Sequence, residues 1–366
     1  MVNGVRLWKQ DLRFREKLEM VIGSQVVLDD RIALLLKLID RKGSLLRAAK
    51  AVGMSYSRAW EAIARIERLL GVKIVESRRG GSKGGGSRLT EEGRKLVEFF
   101  EREYKRRFKR QLEELEIETS VVGDMIYAGS HDILLERVFG LLSEKGVKVE
   151  VNWIGSMRGL AAVLLEEADV AGIHIYDPFE DHYNLPILER MGALSNLTII
   201  CGYKRLIGIA SRIKLSLEEA LEGLIKGRFT LANRLWGSGT RMLLEMLLMQ
   251  WARKRGVNLR ELRSKIKGYT KEVETHLEAA SLVASGKADL CITIKPVAKL
   301  YNLYFIPVKW EYFDFVVPRN KLEKKSIKLF IDILKSDWLK DLIKDVEGYE
   351  SRECLGFALN SKSFEK

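Results

Sequence analysis

The chain has 366 residues, 46% hydrophobic and 31% charged, with a formal net charge of +13 at pH 7. Such a hydrophobic share supports two or three globular cores and excludes a disordered chain. No apolar run approaches the roughly 18 to 20 residues of a membrane span, and none forms a leader at the N-terminus, so we expect a cytoplasmic protein without membrane contact.

In chain order, the first readable unit is a short apolar helix capped by Ser44 (Leu45, Leu46, Ala48, Ala49, Val52), then a tight turn at Gly53-Met54. Ser55 is placed to cap the next helix, in which Ala59, Ile63, Ile66 and Leu70 recur on one face. The opposite face carries Ser57, Arg58, Glu61, Arg65 and Arg68, side chains long or polar enough to reach base edges and phosphates. This is helix-turn-helix spacing. A strand from Val72 to Glu76 and a glycine loop with Arg78, Arg79, Lys83 and Arg88 then occupy the position of a basic wing. The loop's composition also suits a flexible linker, but its place between a strand and a helix start favours a backbone-contacting hairpin. Its spacing does not match a nucleotide-binding P-loop. Ser55, Tyr56, Ser57, Arg58, Arg65, Arg78, Arg79, Lys83 and Arg88 are therefore the expected contacts to double-stranded DNA. Charge agrees: residues 1–118 hold 27 Lys and Arg against 18 Asp and Glu, whereas residues 119–366 hold 36 against 32.

From Thr90 a stripe of Val97, Phe100, Tyr104, Phe108, Leu112 and Leu115 predicts a helix of more than six turns, at about 3.6 residues each. It either packs on its own domain or pairs with its twin in a homodimer, the arrangement that paired half-sites require and the one we expect. The expected organisation is thus a winged helix-turn-helix over residues 1–90, a linker helix over 91–118, and a two-lobed α/β domain over 119–366.

In the last of these, strands alternate with helices, and three strand-like runs end in Gly-Ser before a helix: Gly129-Ser130, Gly155-Ser156 and Gly237-Ser238-Gly239-Thr240. Glycine admits close approach of a ligand, a helix N-terminus offers unpaired N–H groups, and Ser or Thr adds a hydroxyl. Ser is also simply a good helix cap, so each turn alone has a structural explanation. Three together predict a cradle for a small oxyanion. Glu274-Thr275-His276 opens a fourth helix, and its helix, acidic break and strand order parallels that of GLAAVLLEEADVAGIHIYD, which suits two lobes around a cleft. Ser130, Ser156, Ser238, Gly239, Thr240, Arg241 and Thr275 are the expected ligand contacts, with Arg158 as a further charge partner, His131 and His276 beside them, and no carboxylate facing the guest.

The three cysteines, Cys201, Cys291 and Cys354, form no CxxC pair and are odd in number, so buried thiols are expected instead of a zinc site or disulfide. The four histidines lack metal-ligand spacing, so no metal and no cofactor are expected. Abundant Lys, Arg and Glu with few Gln suit a thermophile.

Two resemblances attach to these motifs. GSLLRAAKAVGMSYSRAWEAI and ESRRGGSKGGGSRLTEEGRKL, within residues 25–100, resemble the LysR-like DNA-binding domain of ModE-type molybdate regulators. AGSHD, NRLWGSGTR, ETHLEAASLVASGKAD and FDFVVPR, within residues 124–319, resemble the periplasmic-binding-protein-like molybdate-binding domain found fused to such units in prokaryotes. The small β-barrel molybdate domains of familiar ModE proteins are not found here. The resemblance implies a transcription regulator, not an enzyme, that responds to a small oxyanion, molybdate or tungstate. Sensing of an organic metabolite, or catalysis on a phosphate-containing substrate, are the alternatives.

Overall fold

In the computed structural model the described residues are 17–54, 56–78, 86–112 and 123–359, excepting the side chains of Ser57 and Arg78. Among the described residues, 17–54, 56–77 and 86–112 cluster as one compact unit, and 123–359 belong to a second.

The first unit opens on an antiparallel hairpin, β1 (Glu19–Ile22) and β2 (Gln25–Asp29). Asp29 then caps α1 (Asp30–Lys42), its carboxylate accepting from the N–H of Ile32 at 2.7 Å. Gly43, in the left-handed region at φ 63°, ends α1, and Ser44 caps α2 (Leu45–Ala51) as expected, accepting from the N–H of Arg47 at 3.2 Å. After Gly53 comes α3 (Tyr56–Leu70), whose Ala59, Ile63 and Ile66 are fully buried while Leu70 is half-buried. β3 (Val75–Arg78) pairs with β4 (Gly86–Leu89). The strand begins later than the sequence indicated, because a Glu67 carboxylate oxygen takes the N–H groups of Ile74 (3.0 Å) and Val75 (3.3 Å).

Thr90 caps α4 (Glu91–Phe108). At 18 residues it makes about five turns, fewer than expected, and Lys109 ends it in the left-handed conformation at φ 54°. Val97, Phe100 and Tyr104 are buried, α4 packs on α1, and Lys37 pairs with Glu101, so that much of the stripe serves this unit's own core. Leu112 is buried beyond the helix, and Leu115 lies outside the described residues.

The second unit alternates strands and helices: β5 (Met125–Gly129), α5 (Ile133–Glu144), β6 (Val149–Trp153), α6 (Ser156–Leu164), β7 (Ala171–Ile173), then β8 (Tyr176–Asp177), β9 (His182–Tyr183) and α7 (Leu185–Arg190). A 15-residue strand, β10 (Leu197–Ser211), leads to α8 (Leu217–Ile225), β11 (Leu231–Arg234), α9 (Gly239–Arg255), α10 (Leu259–Lys265), β12 (Glu272–Val273), α11 (His276–Ala284), β13 (Leu290–Ile294) and α12 (Lys295–Leu300). A second 15-residue strand, β14 (Tyr304–Pro318), precedes α13 (Lys325–Lys335), α14 (Asp337–Asp345), β15 (Tyr349–Glu350) and β16 (Ala358–Leu359).

The two long strands organise both lobes. They pair antiparallel from Leu197 with Pro318 to Ser211 with Tyr304. At one end β7 joins β14, and β5 and β6 continue beyond it through a bridge from Tyr127 to Val170; at the other, β13, β11 and β12 continue from β10. Two apolar cores follow, one built on Phe313, Phe315 and Phe330, the other on Ile209, Leu224, Leu244 and Leu248.

One expectation is overturned here: Cys201 and Cys354 are joined by a disulfide, and only Cys291 among the three is a buried free thiol. The reason is a bulge in β10 between Ile200 and Tyr203. It releases the Cys201 backbone from β14, and the C-terminal segment takes it, with Cys201 N–H donating to Phe357 O and Gly356 N–H donating to Cys201 O, each at 2.8 Å. Gly202 is needed in the bulge, since a Cβ there would sit 1.8 Å from the carbonyl oxygen of Phe313. Because the bridge closes a loop across 153 residues of sequence, Cys354→Ser should cost about 2–4 kcal/mol in denaturant unfolding. Reduction of the wild type should lower its stability by a similar amount, and an unchanged midpoint in both would count against the tether.

Candidate functional site

The three Gly-Ser turns meet inside the second unit. β5 delivers Ser130, His131 and Asp132, and Asp132 caps α5 by accepting from the N–H groups of Leu134 (3.0 Å) and Leu135 (3.2 Å). β6 delivers Gly155, in the left-handed region at φ 81°, and Ser156 at the start of α6. The hydroxyls of Ser130 and Ser156 lie 2.8 Å apart, and Ser156 Oγ also accepts from His174 N–H at 3.1 Å. The third turn, after β11, abuts them: Met157 N–H donates to Gly237 O at 3.2 Å, and a Cβ on Gly239 would sit 2.2 Å from His174 O. Only glycine lets α9 begin this close.

Around the turns lies a buried ionic network. Arg205, fully buried on β10, donates through Nη1 to Asp132 Oδ2 (2.8 Å) and through Nε to Glu311 Oε1 (2.8 Å). Tyr203 (2.6 Å) and Tyr349 (2.8 Å) each donate a hydroxyl to Asp132, and His174 Nδ1 lies 2.7 Å from Glu311 Oε2. Burial pushes the Glu311 carboxyl up, but Arg205 and His174 overcome it and leave its pKa at about 2. Burial holds His174, His131 and, most strongly, His276 below the ordinary histidine range.

Arg234 is different. At the end of β11 and 3% exposed, it donates from Nη2 to Glu274 O at 2.8 Å, while Nε and Nη1 have no hydrogen-bond partner among the described residues. Burial, then the neighbouring charge of Arg205, lowers its pKa to about 10. Its charge also opposes protonation of His131 and His276, whose rings lie 6.5 Å apart. Thr240 Oγ1 and His131 Nδ1 are likewise buried without a partner among the described residues. A desolvated guanidinium with free donors, among imidazoles held below their ordinary pKa, can hold an anion.

The expected contacts divide accordingly. Ser130 and Ser156 belong to this cluster, Gly239 makes the close approach, and Thr240 follows it in sequence with its hydroxyl buried and unpartnered among the described residues. Ser238 is spent on its own turn, accepting from Arg241 N–H at 3.2 Å and donating to Leu235 O at 2.8 Å. Arg241 is committed elsewhere, donating to Glu245 (2.8 Å) and Tyr269 O (3.1 Å) and lying over the Tyr269 ring. Thr275 is half-buried and caps α11, accepting from Glu278 N–H at 3.0 Å. Arg158 is half-buried, with Nη1 lacking a partner among the described residues. Arg205 and Arg234 were not singled out from the sequence, and carboxylates do stand nearby, but Arg205 occupies Asp132 and Glu311.

On the nucleic-acid side, Arg58 is exposed on α3. Two expectations are corrected. Tyr56 is buried against Trp60 as core, and Arg65 is half-buried, its Nη1 donating to Val26 O of β2, because the β1–β2 hairpin contacts that part of α3. Arg88 is exposed and pairs with Glu76 across β3 and β4 at 2.5 Å. Ser55, Arg79 and Lys83 lie outside the described residues, as do the side chains of Ser57 and Arg78.

With this geometry in view, the family comparisons are direct. The PBP superfamily domain matches residues 140–335. The chain belongs to the PBP superfamily. Ahead of its PBP domain, the bacterial regulatory helix-turn-helix protein, lysR family, matches residues 33–94. The chain is 28% identical over 227 residues to the uncharacterized protein YvgK of Bacillus subtilis, covering 61% of this chain and 68% of that one. It is 38% identical over 88 residues to the molybdenum transport protein ModE of Azotobacter vinelandii, covering 24% of this chain and 33% of ModE, a match in the N-terminal region. The chain therefore spans about a third of that ModE. A phosphate ABC transporter substrate-binding protein from Clostridium perfringens aligns with 63% of this chain and 99% of its own at 15% identity and a TM-score of 0.46. The chain is thus a PBP-type two-lobed α/β domain preceded by a regulator-type helix-turn-helix. No helix among the described residues is long and apolar enough to cross a membrane.

The ionic network of the PBP domain has a pH signature. Glu311 titrates lower folded than unfolded, so its stabilisation is complete above its ordinary pKa of 4.5 and is lost as pH falls towards about 2. Glu311→Gln should cost about 3 kcal/mol at pH 7, measured by denaturant unfolding, and the gap to wild type should close near pH 2–3. A gap that does not change with pH would contradict the assignment.

Proposed function

We propose that this protein is a DNA-binding transcription regulator, working in the cytoplasm as a homodimer, whose PBP domain holds a small oxyanion. The observation that carries the reading is Arg234, a buried cation with free donors whose charge acts on His131 and His174, the neighbours of Ser130 and Ser156. Molybdate or tungstate is the effector we favour. Each is a tetrahedral dianion that accepts at every oxygen, and the N-terminal match to a molybdenum transport protein supports the choice. A regulatory helix-turn-helix ahead of a PBP domain favours a sensor over a catalyst. The organic-metabolite reading draws on a cavity of about 400 Å³ against the third turn, whose walls include Met157, Trp236, Gly237, Met242 and Met246.

Closure of the two lobes on the anion would change DNA affinity only through a difference in affinity between lobe states. Calorimetry tests the anion directly. Arg234→Gln should weaken molybdate and tungstate binding at least about a hundredfold, the cost of losing charged hydrogen bonds, while ligand-free stability holds or rises because an uncompensated buried charge is gone. Unchanged affinity in the variant would remove Arg234 from the site.

For DNA, we assign base reading to Ser57 and Arg58, and backbone contact to Ser55, Arg78, Arg79, Lys83 and Arg88. Arg58→Ala should relax sequence preference, and Lys83→Ala should weaken all DNA about equally with a shallower salt dependence. Arg65→Ala should lower the unit's stability by about 1 kcal/mol with little change in preference. A loss of preference in the Arg65 variant equal to that in the Arg58 variant would reverse these roles.

A further inference from the structure

The anion reading leaves one atom unexplained. His131 is 2% exposed, between the Ser130 and Asp132 positions of the first turn, and its two ring nitrogens have different surroundings. Nε2 lies 2.9 Å from Glu136 Oε1, an oxygen that can only accept, so the proton of a neutral ring sits on Nε2. Nδ1 then presents a lone pair, buried and with no partner among the described residues. A guest without a hydrogen cannot satisfy it, and an oxyanion oxygen facing it would meet lone pair with lone pair.

We propose, resting on the anion reading above, that the site takes its oxyanion together with one proton, held between a ligand oxygen and His131 Nδ1. The proton has two sources. An anion that retains a hydroxyl, such as hydrogen phosphate, brings its own. Molybdate and tungstate have none near neutral pH, so the ring takes one from solvent and becomes an imidazolium, donating from both nitrogens to Glu136 and to the anion.

The groups around the ring fit this exchange. Glu136 and Asp132 on α5 favour the charged ring; Arg234 on β11 opposes it, and His276 on α11 lies across from it. Arg205 on β10 donates to the carbonyl of His131 at 3.2 Å, and the Trp153 ring of β6 packs edge-on at 4.9 Å. Burial holds the ring below the ordinary histidine pKa. A bound dianion offsets Arg234 and reverses the balance. His276 does not compete, because burial and Arg234 together hold it far lower.

The test is calorimetry of the full chain with sodium molybdate, sodium tungstate and inorganic phosphate, between about pH 6.5 and 8.5, in buffers of different ionisation enthalpy. Wild type should take up close to one proton per molybdate or tungstate, with affinity falling about tenfold per pH unit. His131→Gln should bind either anion without uptake and with a flat profile. Phosphate at the upper end of the range should bind without uptake. The wild-type proton count does not depend on any variant folding. Molybdate or tungstate binding without uptake, but lost in Arg234→Gln, would overturn the proton while leaving the anion site in place. Failure of all three anions to bind, or binding retained in Arg234→Gln, would overturn the anion reading and this inference with it.

Discussion

The burial of Arg205 between Asp132 and Glu311 is the interaction on which the second unit depends. One guanidinium gathers the capping carboxylate of α5, a carboxylate of β14 and, through Asp132, the hydroxyls of Tyr203 and of Tyr349 near the C-terminus. Charges buried this deeply are tolerable only when paired and hydrogen-bonded, and each member here has its partners. The network fixes β10 against β14 at the middle of both long strands, where the two lobes join. It also commits Glu311, the carboxylate whose charge most favours the charged Arg234, to Arg205.

The asymmetry between the two arginines is the basis of the proposed function. Arg205 is satisfied and structural, whereas Arg234 is desolvated with donors unspent. A protein that retains such a group pays in stability for something that binds. Burial and both arginines hold His276 well below the ordinary histidine range, and burial with Arg234 lowers His131. On the proposed function, a bound anion would supply the missing counter-charge and change what the nearby rings can do. The bulge at Cys201 and its disulfide to Cys354 hold the C-terminal segment, and with it Tyr349, against the same network.

Much of this was legible in the sequence where local chemistry decides. Ser44, Gly53, the apolar face of α3 and the Gly-Ser turns are short-range signals, and the turns at Ser130 and Ser156 do meet. What was not legible depends on which element covers a residue. Arg58 and Arg65 share the polar face of α3 by periodicity, yet Arg65 is drawn to Val26 on β2. Arg234 sits in an ordinary strand run and gains its character only because β12 and β13 flank β11. Cys201 and Cys354 are 153 residues apart, and no spacing rule connects them; a backbone bulge does. Arg241, the more conspicuous arginine beside the glycines, is claimed by Glu245 and Tyr269.

Arg234 is the proposed counter-charge of the anion. The most direct measurement is an anomalous difference map from crystals grown with tungstate, which locates the metal atom without any assumption about the site. The account predicts one strong peak whose oxygens accept from Nε and Nη1 of Arg234, within reach of Ser130 and Thr240. A peak elsewhere, or none while those two nitrogens are found paired with a carboxylate of the protein, would contradict it.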